Sequence, residues 1–329
     1  MTAPALPNLD ELEDAATLIR PILPPTPQIR WPLLCQRTGA DVCVKHENHL
    51  PVGAFKVRGG LVYIDDLKRR QPDCPGIVSA TRGNHGQSLA FACARHGLPC
   101  TIVVPHGNSR EKNAAMEALG AELVEHGKDF QDAVDHLDTL VTERGLHRVP
   151  SFHPLLVRGV GTYSLEFLRA QPDLDVVYVP IGLGSGICGM IAAREALGLT
   201  TEIVGVVSTG APCYALSFAQ GHPVSTNQAA THLADGMACR TPVAEAVAII
   251  NAHTARIVRV TDDEIAEAMR AFFTDTHNVA EGAGAAGLAA LIQERERQRG
   301  RNVGVVMTGG NVDAPVFGSV LNGCPAPVT

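Results

Sequence analysis

The chain has 329 residues, of which 45% are hydrophobic and 19% charged, and its formal net charge at pH 7 is −7. This length allows two domains, each with its own hydrophobic core. Basic residues form no clusters, no apolar run approaches the roughly 20 residues of a membrane helix, and the N-terminus lacks the features of a secretion signal. We therefore expect a cytoplasmic protein that binds neither nucleic acid nor membranes. The nine cysteines include no C-x-x-C pair, so we expect reduced core residues.

Strand-like and helix-like segments alternate along the chain, which predicts an α/β protein with mainly parallel sheets flanked by helices. The predicted helices are 10–20, one that opens at 54–56, 84–96, 109–119, 128–143, 155–169, one that ends at 197, 261–273 and 280–297. The predicted strands are 41–45, 76–80, 100–105, 121–124, 175–181, 202–207 and 302–307. We expect a small mobile domain of residues 52–155 and a large cofactor-binding domain of residues 1–51 and 156–329, each built on an open sheet.

Lys56 stands at the start of a predicted helix, directly after a turn formed by Pro51, Val52 and Gly53. The first amides of a helix lack backbone partners, and the positive end of the helix dipole favours the neutral form of an amine there. A neutral amine is a nucleophile that forms Schiff bases with aldehydes such as pyridoxal phosphate. A solvated surface lysine is the alternative, so this hypothesis depends on the motifs that follow.

A glycine-rich loop, Gly182-Leu-Gly-Ser-Gly-Ile-Cys-Gly189, lies between a predicted strand and a helix. Glycines allow close approach, and the free amides and dipole of the helix bind anions, so the loop predicts a phosphate site. A nicotinamide-binding turn would have the pattern G-x-G-x-x-G and an acidic residue after the next strand. Ile187 and Ser208 occupy those positions here. A tight turn without a ligand is the other alternative.

Two further loops follow predicted strands, where ligands of open α/β sheets bind. In Thr81-Arg-Gly-Asn-His-Gly-Gln87, small residues and free amides suit a carboxylate, and Arg82 could add a bidentate contact. The alternative is an Asn-capped helix with a solvated arginine. In Thr308-Gly-Gly-Asn311 a hydroxyl ends the last strand, although most such threonines only satisfy the backbone.

Taken together and in this order, these segments resemble the fold-type II pyridoxal-phosphate enzymes, most closely the serine/threonine dehydratase branch. The resemblance covers nearly the whole chain. Its motifs are Arg30-Trp-Pro-Leu33, Lys45-x-Glu47, Pro51-x-Gly-x-Phe-Lys-x-Arg-Gly59, Gly83-Asn-His85, Gly120-Ala-Glu122, the glycine loop, Ala234-Asp-Gly236, Glu281-Gly-Ala-Gly-Ala285 and Thr308-Gly-Gly-Asn311. The resemblance implies a fold like that of the tryptophan synthase β-subunit, pyridoxal 5'-phosphate as cofactor, and a homodimer.

The resemblance also implies roles for individual residues. Lys56 would hold the cofactor covalently and act as the base at the substrate α-carbon. The other cofactor contacts would be Phe55, Asn84, Gly182, Leu183, Gly184, Ser185, Gly186, Glu281 and Thr308. The substrate carboxylate would bind Thr81, Arg82, Gly83, Asn84 and His85. A purely structural role is an equal alternative for Glu281.

No metal ligand is expected, because the histidines show no paired metal spacing. The alternative, which comes from the resemblance, is a cation near Asp235, whose segment binds one in some relatives of the family. We interpret seven of the histidines as surface or capping groups: His46, His49, His96, His106, His126, His136 and His147.

The implied activity is conversion of a β-hydroxy L-amino acid to a 2-oxo acid and ammonia. A neutral hydroxyl at Thr308, facing the pyridine nitrogen, gives a weaker electron sink than a carboxylate, which suits loss of a β-substituent. An amino-acid racemase or a β-replacing synthase would use the same cofactor residues. The chain ends soon after the Thr308 loop, without room for a regulatory domain, so we expect a catabolic role.

Arg82 puts the substrate in question, because the resemblance implies a small residue at this position. It could pair with a second carboxylate or shape the pocket for a bulkier substrate, so hydroxyaspartate and phenylserine are candidates beside threonine and serine. Alternatively, Arg82 faces away and bonds neighbouring backbone.

Overall fold

The computed structural model describes residues 5–128, 130–227 and 229–324. In the first half of these ranges the elements are α1 (Leu9–Ile19), β1 (Gln28–Arg30), α2 (Pro32–Thr38), β2 (Asp41–His46), α3 (Val57–Arg70), β3 (Ile77–Ala80), α4 (Asn84–Arg95), β4 (Cys100–Val104), α5 (Arg110–Ala118), β5 (Glu122–Glu125), α6 (Phe130–Arg144), β6 (His147–Arg148) and α7 (Pro154–Ala170). In the second half they are β7 (Val176–Pro180), α8 (Ser185–Ala196), β8 (Glu202–Ser208), α9 (Cys213–Gln220), α10 (Ala244–His253), β9 (Arg256–Val260), α11 (Asp262–Thr276), α12 (Gly282–Gln293), α13 (Arg295–Gln298), β10 (Asn302–Met307) and α14 (Ala314–Leu321). Throughout the described part, every helix is too short or too polar to cross a bilayer.

The described strands form two sheets. One has six strands in the order β1-β2-β10-β7-β8-β9, and its neighbours are parallel except for β1, which pairs antiparallel with β2. The other has four parallel strands in the order β5-β4-β3-β6. The predicted fold class, open and mostly parallel sheets flanked by helices, is confirmed. The predicted domain boundaries, at residues 51/52 and 155/156, stay a prediction.

The central strands of the large sheet have apolar sequences because both faces of the sheet are buried. All five residues of β7 are buried, and five of the six residues of β10 are. Parallel strands covered by helices on both faces have near-continuous apolar sequences of this kind. On one side α12 packs against the sheet, with ten of its residues buried. On the other side lie α7 and α8, whose residues form a second core cluster with those of β7 and β8.

Capping residues set the limits of several helices. A capping box starts α11 at Thr261, because its hydroxyl accepts a hydrogen bond from Glu264 N (3.2 Å) and the Glu264 carboxylate accepts one from Thr261 N (2.7 Å). The helix predicted over 280–297 is interrupted at Glu294, between the end of α12 at Gln293 and the start of α13 at Arg295. The Glu294 carboxylate binds Arg256 and Tyr178, which fixes the chain at this interruption.

The sequence prediction left out seven of the described elements, namely α2, α9, α10, α14, β1, β6 and β9. β1 has three residues and β6 has two, which is too short for a periodic pattern to show.

The expectation that His46 lies at the surface is wrong. His46 ends β2 and is fully buried, its Nε2 accepts a hydrogen bond from Trp31 Nε1 (3.0 Å), and burial lowers its pKa to about 4.

Candidate active site

The turn that carries Lys56 is attached to the loop after β10 through backbone hydrogen bonds. Phe55 N donates to the Thr308 carbonyl (3.0 Å), and Gly310 N donates to the Gly53 carbonyl (2.9 Å). Between them, Ala54 and Gly309 pair as an antiparallel bridge. Two segments that are far apart in the sequence are thereby joined, and Lys56 lies beside the end of β10.

Lys56 is the residue just before α3, because the helix begins at Val57 rather than at 54–56 as predicted. Its Nζ lies 4.9 Å from the centre of the Phe55 ring. The residue is partly exposed because it lines a cavity, but protein atoms surround the amine closely enough that burial lowers its pKa to about 8. The Glu281 carboxylate opposes this shift. Burial, rather than the helix dipole proposed from the sequence, is therefore the main reason that the amine tends toward its neutral form.

The glycine loop forms an open N-terminus for α8. Gly184, the residue before the helix, has φ of 101° and no side chain that could cap the helix amides. A Cβ atom added at Gly184 would lie 2.7 Å from the Ala246 Cβ, so glycine is required there on both counts. The Tyr214 hydroxyl donates to the Leu183 carbonyl (2.8 Å) and accepts from Val243 N (3.1 Å), which anchors the loop. The result is a fixed set of amides able to bind an anion.

Glu281, immediately before α12, is buried beside this loop. Its backbone N donates to the Gly309 carbonyl (3.1 Å), and its Oε1 accepts from Asn84 Nδ2 (2.6 Å). Its Oε2 is buried without a hydrogen-bond partner among the described residues, and Lys112 Nζ is 3.4 Å away in ion-pair contact only. Burial raises the pKa of Glu281 although Lys112 opposes the shift. A buried oxygen of this kind requires a partner that a ligand could supply.

Sequence reasoning missed Lys112. This side chain is buried on α5, and its Nζ lies 2.7 Å from the Asp235 carboxylate. Burial opposes its charge, but Asp235 and Glu281 outweigh that effect and raise the pKa of Lys112. Gly83, with φ of 152°, makes room for it, since a Cβ at Gly83 would lie 2.4 Å from the Lys112 Cδ. The one sequence signal was that Lys112 is four residues before Met116, on the apolar face of α5.

Two adjoining cavities contain every residue predicted for the site. The glycine-loop cavity is lined by the ten residues predicted for the cofactor, namely Phe55, Lys56, Asn84, Gly182, Leu183, Gly184, Ser185, Gly186, Glu281 and Thr308. The large cavity, of about 850 Å³ with its open mouth, is lined by the five residues predicted for the substrate, Thr81, Arg82, Gly83, Asn84 and His85. Lys56 lies in the wall of both. The individual roles of these residues stay predictions.

His85 is a buried and neutral member of the large cavity. Burial lowers its pKa to about 3, the nearby Lys56 contributes to the shift, and a hydrogen bond with the Pro150 backbone opposes it. Its Nε2 has no hydrogen-bond partner in the described ranges.

The His, Cys, Asp and Glu side chains of the described residues form no group of three or more that could hold a metal.

The family comparison agrees with this geometry. The sequence pattern of the family described as "Pyridoxal-phosphate dependent enzyme" matches residues 19–309. The chain belongs to this family. Its cofactor is pyridoxal 5'-phosphate, as predicted, and the resemblance to fold-type II enzymes is confirmed. The residues fit this cofactor, because they provide an amine with a lowered pKa, an open helix N-terminus for a phosphate, and a Glu281 carboxylate oxygen without a hydrogen bond from the described residues.

Individual relatives of this pyridoxal-phosphate-dependent enzyme span most of its length. The L-threonine ammonia-lyase of Thermotoga maritima is 29% identical over 319 residues, which are 96% of this chain and 78% of that protein. The catabolic L-threonine dehydratase of Escherichia coli strain K12 is 32% identical over 284 residues, 84% of this chain and 85% of that one. A crystal structure of a pyridoxal 5'-phosphate-dependent aspartate racemase superposes with a TM-score of 0.89 at 29% identity, covering 94% and 98% of the two chains.

Proposed function

We propose that this enzyme converts a β-hydroxy L-amino acid to a 2-oxo acid and ammonia. The observation that carries the proposal is the position of Lys56 in the wall of both cavities, one lined by the glycine loop and one by the start of α4. A group bound at the glycine loop and an amino acid bound at α4 would therefore meet at this amine. The similarity to two threonine-deaminating enzymes over most of the chain supports the same reaction class.

The chain's own residues would hold the cofactor in the glycine-loop cavity. The amides of residues 182–186 and the dipole of α8 would bind the phosphate, Lys56 would anchor the aldehyde, and Asn84 and Glu281 would contact the ring. When bound, pyridoxal phosphate supplies an electron sink that makes the α-hydrogen of an amino acid acidic. Thr308, a neutral hydroxyl in the wall of the same cavity, would leave that sink weak enough to favour loss of a β-substituent.

The large cavity would bind and orient the substrate. The first amides of α4 would receive the substrate α-carboxylate, which places the α-carbon toward Lys56. With a pKa near 8, a useful fraction of Lys56 is neutral at physiological pH, so its amine can take the α-proton. The β-hydroxyl would then take a proton back from the Lys56 ammonium and depart as water, and the released enamine would tautomerise to an imine, which takes up water to give the 2-oxo acid and ammonia. His85, neutral and buried, adds no competing positive charge beside the amine.

Isolation of the protein with pyridoxal phosphate tests this proposal. We expect visible absorbance that Lys56→Ala abolishes, and release of ammonia and a 2-oxo acid from at least one of threonine, serine, phenylserine and hydroxyaspartate. Lys68→Ala is the matched control, because Lys68 lies on α3, the helix that follows Lys56, and its ammonium donates to the nearby Pro72 carbonyl. A protein that takes up no cofactor, or an active Lys56→Ala variant, would refute the proposal.

Amino-acid racemisation is the second candidate, favoured by the superposition with the aspartate racemase. It would use the same cofactor residues and the same base. Chiral analysis of the reaction mixture separates the two, because a racemase yields the D-amino acid without ammonia. A β-replacing synthase would instead require an added nucleophile.

We further propose a catabolic, cytoplasmic homodimer in which residues 52–155 move as a unit against residues 1–51 and 156–329. The strands of the four-stranded sheet all lie within 77–148, and those of the six-stranded sheet within 28–46 and 176–307, which supports this division. Analytical ultracentrifugation measures the oligomeric state. Scattering with and without a substrate analogue measures whether the two parts close.

A further inference from the structure

We propose that Arg82 selects substrates that carry a second carboxylate, so that the preferred class is the 3-hydroxy dicarboxylic amino acids, of which hydroxyaspartate is the smallest. This inference rests on the proposed function and adds the substrate class and the residue that sets it.

Arg82 belongs to the substrate side of the site. It lies between the end of β3 and the start of α4 and lines the large cavity together with Lys56. It does not line the glycine-loop cavity, where the cofactor phosphate would bind. The arginine is therefore placed to contact a substrate group and not the cofactor phosphate.

The guanidinium of Arg82 has no bound partner in the part of the chain that the structure describes. The residue is partly buried, yet within the described ranges no ion pair or side-chain hydrogen bond involves it. The sequence left open that Arg82 bonds neighbouring backbone, and no such bond is present there. A guanidinium offers five N–H donors in a planar fork, which pairs bidentately with a carboxylate.

The charges around the large cavity favour an anionic ligand. Among the described residues that line it, Lys56, Arg82, Lys112 and Arg240 are basic and Asp235 is acidic. The Asp235 carboxylate forms an ion pair with Lys112 (2.7 Å), and Arg240 has contacts of its own. Among the described residues, Arg82 is thus a cation without a compensating charge, in a chain whose net charge is −7. Such a local excess attracts anions.

A substrate with a single carboxylate would leave the Arg82 guanidinium without a partner. The α-carboxylate of every amino-acid substrate would bind the amides at the start of α4, so it does not need Arg82. With threonine, Arg82 would face a methyl group, and its donors would gain no partner when substrate displaces water from the cavity. With a 3-hydroxy dicarboxylic amino acid, the β-carboxylate gives the guanidinium a bidentate partner. An aromatic β-substituent could instead stack on the guanidinium, and kinetics on phenylserine test that alternative.

Binding of two amine-free analogues tests the inference without turnover. Malate and 3-hydroxybutyrate correspond to hydroxyaspartate and threonine, and they differ in having a carboxylate or a methyl group at one position. We expect calorimetric titration of the cofactor-loaded protein to show that Arg82→Gln weakens malate binding by about tenfold or more while 3-hydroxybutyrate binding changes less than about twofold. Arg95→Gln, at the exposed C-terminal end of α4, should change neither. Equal losses for both ligands, or no loss for malate, would overturn the inference.

The kinetic comparison uses hydroxyaspartate, threonine and phenylserine. We expect the native enzyme to have its highest kcat/KM on hydroxyaspartate, Arg82→Gln to reverse the preference over threonine, and Arg82→Lys, which keeps the charge, to restore part of it. If phenylserine is preferred and that preference is lost in Arg82→Gln, the arginine serves an aromatic group and the inference is wrong. An enzyme active on threonine but indifferent to Arg82 refutes this inference alone. A protein without cofactor absorbance and without 2-oxo acid production refutes the proposed function, and the malate titration, carried out on the protein as isolated, then still decides whether Arg82 selects dicarboxylates.

Discussion

Lys112 Nζ lies 2.7 Å from the Asp235 carboxylate and 3.4 Å from Glu281 Oε2. Lys112 is on α5, next to the four-stranded sheet. Of its two partners, Glu281 immediately precedes α12 and Asp235 lies in the short 3₁₀ helix Asp235–Met237. One buried ammonium thus connects the two halves of the site. It also stabilises the charged form of Glu281, the carboxylate beside the proposed cofactor ring.

Replacing Lys112 should destabilise this junction. We expect Lys112→Met to lower the free energy of unfolding by about 1–3 kcal/mol, less than a fully buried pair because Asp235 is partly exposed. The uncompensated Glu281 should also bind the cofactor more weakly. Urea unfolding and absorbance titration with pyridoxal phosphate measure the two effects. Lys128→Met, at an exposed position, is the control, and equal behaviour of the two variants would contradict the assignment.

Arg58 is expected to be essential for stability. It is fully buried and binds Glu47 (2.7 Å) and Glu166 (2.8 Å), and Lys45 binds Glu166 (2.6 Å). Because Arg58→Met leaves the fully buried Glu47 carboxylate and the partly buried Glu166 carboxylate without that partner, we expect a loss of about 3–5 kcal/mol. Arg69→Met removes an exposed pair with Asp65 on the same helix and should cost about 1 kcal/mol or less. Chemical denaturation compares them, and similar losses for both arginines would mean that burial of the Arg58 network adds nothing to its stabilising effect.

The reactivity of Lys56 should depend on pH in a defined direction. Its pKa of about 8 lies below the ordinary value, so the neutral amine accumulates as the pH rises through 8. We expect the rate of cofactor uptake by the cofactor-free protein to be half-maximal near pH 8 and to level off about one pH unit higher. Glu281 stabilises the ammonium, so Glu281→Gln should move this midpoint to lower pH. Stopped-flow absorbance measures the rate, and a midpoint near the ordinary lysine value would refute the lowered pKa.

Gly184 should be irreplaceable for cofactor binding. It has φ of 101°, and an added Cβ would meet Ala246, so Gly184→Ala should distort the amides of the loop. We expect cofactor affinity to fall by about tenfold or more, given a cost of at least 1–2 kcal/mol. Gly198 has φ of 64° with open space around it, so Gly198→Ala introduces strain far from the loop. Cofactor titration should separate the two variants, and unchanged affinity for Gly184→Ala would count against the loop as the phosphate site.

Local sequence determined the class of fold and the candidate chemistry. Strands of five or six apolar residues and helices with caps are specified by neighbouring residues, so their positions could be predicted to within one or two residues at most ends. The same holds for Lys56 before a helix, for the glycine loop before α8 and for Thr308 after β10. In each case the strand, the loop and the helix adjoin in the chain, so a short stretch contains the whole signal.

Tertiary structure alone decided which groups share a cavity and how they are charged. Nothing within α5 indicates that Lys112 reaches Asp235 and Glu281, more than a hundred residues away, because an isolated lysine on an amphipathic helix is normally solvated. The same is true of the network around Arg58, and of Arg82, whose place in the large cavity without a described partner could not be derived from its loop. Burial and long-range pairing set the pKa values and the electrostatics of the site, and they depend on folding the two sheets together.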